Sequence, residues 1–246
     1  MIDKETAETE IDVSSTNIMV CPTTDGRQFT VYSNHVGMNG KTAMILPVPT
    51  GGEIEPVDLT DYPTIFNDLK HSFKPVARSA NKSYSLNCDS ELEVQKVGSY
   101  NVSIVPCLDD FSRLNGQFKF NRELLSLLRE RYPEETSYVV MLMRKGADFH
   151  PFGYISSRPE NQMFIPTYHY HGKIEENPDW DHRIYVCNSN ETVKSTKCMK
   201  YQTIASSGRV RWSSLPQILQ KTHRIDLYRV YPFYAGNHDI LVGVVG

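Results

Sequence analysis

Residues 41–48 read Lys41-Thr42-Ala43-Met44-Ile45-Leu46-Pro47-Val48, and the unbroken apolar run Ala43-Met44-Ile45-Leu46 inside them decides the class of fold. Successive side chains of a strand point to opposite faces, so a half-exposed strand alternates apolar and polar residues. Four apolar residues without alternation predict instead a strand buried in the middle of the structure. Pro47 and Pro49, which cannot donate ladder hydrogen bonds, are expected to end it. A second run of this kind, Tyr138-Val139-Val140-Met141-Leu142-Met143, reads as a second buried strand within residues 137–143.

Outward from these runs, strand signals dominate. Residues 17–21 and 28–34 flank Thr23-Thr24-Asp25-Gly26, and Asp-Gly is a strong hairpin signal. Residues 91–97 and 100–105 repeat the pattern around Gly98-Ser99, and residues 152–155, 163–171, 182–187, 225–231 and 240–245 continue it. Helices are fewer. Residues 62–69 carry the stripe Ile65, Phe66 and Leu69 behind Pro63, which a first helical turn tolerates. Residues 107–114 open a helical turn with Asp109 and Asp110 at its positive end. Residues 121–132 form the clearest helix, with Asn121 as cap, Leu124, Leu125, Leu127 and Leu128 as one face, and Arg129 and Arg131 ahead of Pro133. Residues 213–222, with Leu215, Ile218 and Leu219, read as a further helix. Strands in groups with few intervening helices predict an α+β fold, mainly antiparallel sheet with a few short helices.

Composition fits one folded unit: of 246 residues, 39% are hydrophobic and 22% charged, with 14 Tyr and 10 Phe to supply buried area. Residues 1–16 carry Asp3, Glu5, Glu8, Glu10 and Asp12 against Lys4, so they read as a flexible acidic arm before a single domain over 17–246. The polar stretch 74–90, rich in Ser, Asn and Lys, reads as a long exposed connection and the candidate for an internal boundary. The formal net charge is −3 and the arm alone carries −4, so the body is near +1 and almost neutral. That argues against nonspecific nucleic-acid binding, which needs a strong positive field. No apolar run approaches the roughly 18 residues that span a bilayer. The start has no secretory pattern, and five scattered cysteines read as reduced, buried thiols. The expectation is a cytoplasmic, intracellular protein, a virion component included.

The layout Ala43-Met44-Ile45-Leu46-Pro47-Val48-Pro49, followed by Phe66-Asn67-Asp68-Leu69, resembles uncharacterised proteins, domains of unknown function, from bacteria and large DNA viruses. Val97-Gly98-Ser99-Tyr100-Asn101-Val102, followed by residues 124–132, is similar to the same domains. The resemblance implies a shared fold and brings no activity, cofactor or catalytic residue.

One local cluster could carry chemistry. His169 and His171 fall on one strand face. If residues 163–171 and 182–188 pair around a loop at 172–181, His182 joins them, with neighbouring Cβ atoms roughly 5 Å apart. Three neutral imidazoles with an open position suit a catalytic zinc, iron or manganese, with His150, Asp181 or a Glu from elsewhere to complete or orient the set. A one-residue slip separates them, Pro166 disturbs the pairing, and Ile165, Ile184 and Val186 on the same face suit a core with hydrogen-bonded histidines. Cys187, near the histidines, and Cys107, at a strand-to-helix junction, are the candidate thiol nucleophiles. Asp109-Asp110, Glu134-Glu135 and Glu175-Glu176 are adjacent pairs that do not face one another. Arg209, Arg211 and Trp212 offer phosphate and base contacts, or an edge whose Trp packs inward. No phosphate-cradling glycine loop, Gly-x-Ser-x-Gly or His-Glu-x-x-His is present.

Tyrosines gather in the C-terminal half, among them Tyr228, Tyr231 and Tyr234. Tyr168, Tyr170 and Tyr185 read as a docking face for another protein, against the alternative of a sheet face covered by a loop or helix. The leading reading is a noncatalytic structural or protein-interaction component of a larger assembly, a viral one included, with a protein partner and no cofactor. The alternative is a metal-dependent enzyme of the hydrolase type, using His169, His171 and His182.

Overall fold

The computed structural model describes residues 2–4, 12–37, 41–73, 94–118, 120–144, 150–170, 182–188, 199–205, 208–219, 224–230 and 237–243. Two sheets face each other. The smaller has five strands in the order β1 (Ile2–Lys4), β4 (Lys41–Val48), β8 (Ser137–Arg144), β7 (Tyr100–Val105), β6 (Gln95–Val97). The larger has seven: β12 (Met199–Ala205), β13 (Arg224–Arg229), β11 (Arg183–Cys187), β2 (Asp12–Pro22), β3 (Gln28–Gly37), β9 (Phe152–Ser156), β5 (Glu55–Val57). A two-stranded ribbon, β10 (Gln162–Ile165) with β14 (Ile240–Gly243), completes the layer between them. The described pairings are antiparallel except that of β11 with β2.

The central strands are apolar on both sides because each sheet is covered twice. Met44, Leu46, Val139 and Met141 of the smaller sheet meet Ile18, Val20, Ile184 and Phe152 of the larger in one core. The intervening residues face outward. Met19, Phe29, Val31 and Tyr185 pack under α1 (Ile65–Ser72) through Ile65, Phe66 and Leu69. Ile45, Tyr138, Val140 and Leu142 pack under α2 (Arg122–Arg131) through Leu124 and Leu128. The order helix, sheet, sheet, helix is why both apolar runs lack alternation.

Local signals act as their chemistry predicts. Asn121 caps α2, its side-chain oxygen accepting the Leu124 N–H at 2.7 Å. Gly98 and Ser99 connect β6 to β7, and Gly98 takes φ +56°, in the left-handed region. Residues 107–114 contain a 3-10 turn, Leu108–Arg113. Four expectations differ. Pro47 lies inside β4, opposite Tyr138. β1 covers only Thr42–Met44, so the proline sits where one edge of β4 has no described strand partner, the edge position that sheets tolerate for proline. Of the helix expected over 213–222, the described residues 213–219 hold only the end of the single turn Trp212–Ser214, because Pro216 holds Leu215 extended at φ −111°, ψ 163°; residues 220–222 lie outside the described residues. Within the stretch read as an arm, Ile2–Lys4 pairs with β4 and residues 12–16 belong to β2. Cys21 and Cys187 are joined as a disulfide rather than left as free thiols; Cys88 and Cys198 lie outside the described residues.

Among the described residues no helix is long and apolar enough to cross a membrane.

Candidate functional site

The expected hairpin between residues 163–171 and 182–188 does not form. β10 ends at Ile165, where Pro166 stops the ladder, and pairs with β14; β11 pairs with β2 and β13. His169 and His182 nevertheless meet. Their Nε2 atoms are 2.8 Å apart, with ring centroids at 4.7 Å and planes at 80°. Both rings are buried. Two imidazoles bound to one tetrahedral zinc hold their nitrogens about 3.3 Å apart, given Zn–N bonds of about 2.0–2.1 Å. The shorter contact is that of one ring donating its N–H to the other. Burial pushes the His182 pKa down to about 3, which keeps that ring neutral. His171 and Asp181 lie outside the described residues. His150 is engaged elsewhere: its Nδ1 lies 2.7 Å from the Pro151 carbonyl, and its Nε2 accepts the Ser99 N–H at 3.0 Å. Among the described residues no three His, Cys, Asp or Glu side chains are grouped to hold a metal.

The imidazole pair adjoins a larger polar hub that the sequence did not announce. Asn237 reads both backbone groups of His169, its oxygen accepting the N–H at 2.8 Å and its amide donating to the carbonyl at 2.7 Å. Asp239 Oδ1 accepts the N–H groups of Thr167 and Tyr168, each at 2.9 Å, and its Oδ2 accepts the Tyr132 hydroxyl at 2.6 Å. Burial raises the Asp239 pKa above the usual carboxylate range, against the lowering pull of these donors and Arg131. The Arg131 guanidinium lies 3.6 Å from the centroid of the Tyr168 ring and donates to the Asn237 carbonyl at 2.7 Å. The hub ties the C-terminal end of α2 to residues 167–169 and to the approach to β14. Its one sequence trace is the polar triplet Asn237-His238-Asp239 directly before an apolar strand.

The three tyrosines taken as a docking face are buried, so they build the core instead. Tyr185 packs against Phe66 and Phe73 beneath α1; Tyr168 and Tyr170 belong to the core under α2. Tyr228 is buried between the sheets, and Tyr231 and Tyr234 lie outside the described residues. The basic-aromatic segment is likewise engaged within the chain. Arg211 stacks 4.1 Å from the Tyr62 ring centroid and donates to the Asp61 carbonyl, while Trp212 packs against the core under α1. Of the candidate thiols, Cys187 is bonded to Cys21. Cys107 donates to Asp110 Oδ2 at 3.3 Å beside a cavity of about 260 Å³. Tyr132, Tyr138 and Glu134 line that cavity, as do Asp109 and Arg129, whose ion pair closes at 2.7 Å.

No protein-family model matches this sequence, and no curated protein matches it. Solved structures do. Baculovirus P35 superposes with a TM-score of 0.51 at 14% identity, covering 96% of this chain and 98% of that one. A mutated baculovirus P35 after caspase cleavage superposes with a TM-score of 0.50 at 10% identity, covering 96% and 99%. At such identities the likeness is one of fold.

Proposed function

We propose that this chain acts by binding another protein, and that the partner is a caspase, a cysteine protease that cuts after aspartate. The observation that carries the reading is the extent of the fold likeness: P35 matches over nearly the whole of both chains, and its mutated form is known after caspase cleavage. Side chains that a catalytic reading would draw on are committed to one another, His169 to His182, Cys187 to Cys21 and Cys107 to Asp110. Between α1 and β6 runs the polar stretch that includes residues 74–90, and Asp89 is its one aspartate, followed by Ser90. A caspase partner implies action inside a cell, as an interaction protein whose larger assembly is the complex with the protease.

The test is direct. Active caspases are incubated with the purified chain, and three things are followed: turnover of a peptide substrate, co-elution by size, and the masses of any fragments. The expected result is loss of turnover, a complex of both proteins, and a cut after Asp89 that Asp89→Ala abolishes. Undiminished turnover with neither complex nor cut across the panel would end the reading.

A further inference from the structure

Val20 of β2 stands opposite Val186 of the parallel strand β11, so the next residues, Cys21 and Cys187, are neighbours in the middle of the larger sheet. Their Cα atoms are 4.8 Å apart and their sulfurs are bonded. Both side chains are fully buried in the core that holds Met19, Phe29, Tyr185 and Ile225 beneath α1. The bond joins points 166 residues apart, so both helices and every strand from β3 to β10 lie within one covalent ring.

We infer that the Cys21–Cys187 disulfide is a clasp that keeps the chain in one covalent piece after a protease cuts between the two cysteines, residues 74–90 included. The inference draws its use from the reading of this chain as a target of a protease; the clasp itself rests on the geometry of β2 and β11. A cut chain without the bond consists of two fragments, and once they part, reassociation is bimolecular and depends on dilution. With the bond, reassociation is intramolecular, at an effective concentration set by the tether. The chemistry balances with a small disulfide such as oxidised glutathione as oxidant. Two protein thiols give up two protons and two electrons to form one S–S bond, while the glutathione disulfide takes both and opens to two thiols. A thiolate must reach a sulfur to reverse the step, and neither sulfur is exposed, so folding shields the bond from reductant.

The experiment uses the full chain. Protein purified without reductant is unfolded, alkylated and mapped by mass. Cys21 and Cys187 are expected as one cross-linked peptide pair; free, alkylated Cys21 and Cys187 would overturn the inference. Limited trypsin, a protease that cuts after Lys and Arg and so has Arg78 and Lys82 of residues 74–90 among its target residues, is then used to nick the native protein. The nicked chain should run at full mass on a non-reducing gel and as two fragments after reduction. It should regain its circular dichroism after urea is diluted out, independently of protein concentration. Fragments that separate without reductant would overturn the inference equally. Cys21→Ala with Cys187→Ala should separate under both conditions, and wild-type chain reduced and alkylated in urea serves the same comparison if that variant does not fold. Trypsin, not a caspase, makes the cut, so this result and the caspase result stand or fall separately.

Discussion

Asp239 holds three donors from two other parts of the chain, so its loss strands groups that nothing nearby replaces. Asp239→Ala removes the acceptor of two backbone N–H groups and of the Tyr132 hydroxyl. Unmet buried donors cost about 1–3 kcal/mol each, partly recovered by water, so the expected loss in urea unfolding is roughly 2–4 kcal/mol. Tyr132→Phe removes one donor and leaves the others, and should cost about 1 kcal/mol. Equal losses for the two variants would refute the shared role of the carboxylate. The His169–His182 pair sets a pH dependence of definite sign. His182 titrates near 6.5 when unfolded and near 3 when folded, so below 6.5 the unfolded chain binds a proton that the folded chain refuses. Stability from this group is therefore complete above about pH 6.5 and is lost as pH falls toward 3, by up to ~1.4 kcal/mol per pH unit. Asp239 works in the opposite sense: its pKa is raised on folding, so its contribution is present at low pH and lost as pH rises through the folded value. His182→Gln should thus reduce the drop in urea midpoint between pH 7 and pH 5; an unchanged drop would place the acid sensitivity elsewhere.

At the scale of elements, the β6–β7 hairpin and the capped helix show what a local signal can and cannot fix. Gly98→Ala meets two obstacles: the left-handed φ, and a Cβ that would fall on the His150 ring. Gly26 also has a positive φ, but a Cβ there meets nothing within 4 Å. Gly26→Ala should therefore cost about 1 kcal/mol, the price of the backbone alone, and Gly98→Ala clearly more, as read by thermal or urea midpoints. Similar values would mean that His150 does not roof the turn. Turns, caps and the two buried runs were legible because their causes lie within a few residues: Asp25-Gly26, Gly98-Ser99, Asn121 before Leu124. The hub was not, since Tyr132, Thr167 and Asp239 are brought together only by the tertiary fold. The meeting of His169 and His182 was foreseen for the wrong reason. A hairpin was expected, whereas β14 and β13 take up the two strands and the rings meet beyond the end of β10. The tyrosines stayed open between a docking face and a covered one because Tyr suits a wet interface and a dry core alike, and packing decides for the core.

The whole molecule turns on β8. Its neighbours are β4, which precedes residues 74–90 in the chain, and β7, which follows them. A boundary at that stretch would have to split a continuous sheet. The core between the sheets also draws on both sides of it, with Met44 and Leu46 from before and Val102, Val139 and Met141 from after. Neither sheet can lose its inner face without exposing that of the other, so the described parts are expected to unfold in one step. Met141→Ala, made at a fully buried position in that shared core, should destabilise by about 2–5 kcal/mol. Far-ultraviolet circular dichroism reports the strands and near-ultraviolet bands report the tyrosines. Both should move to lower urea together, by the same amount, with wild type and variant each giving one transition. If the two signals separated, or the variant shifted only one of them, the segments before and after residues 74–90 would be folding as independent units, and the single-domain architecture built around β8 would fail.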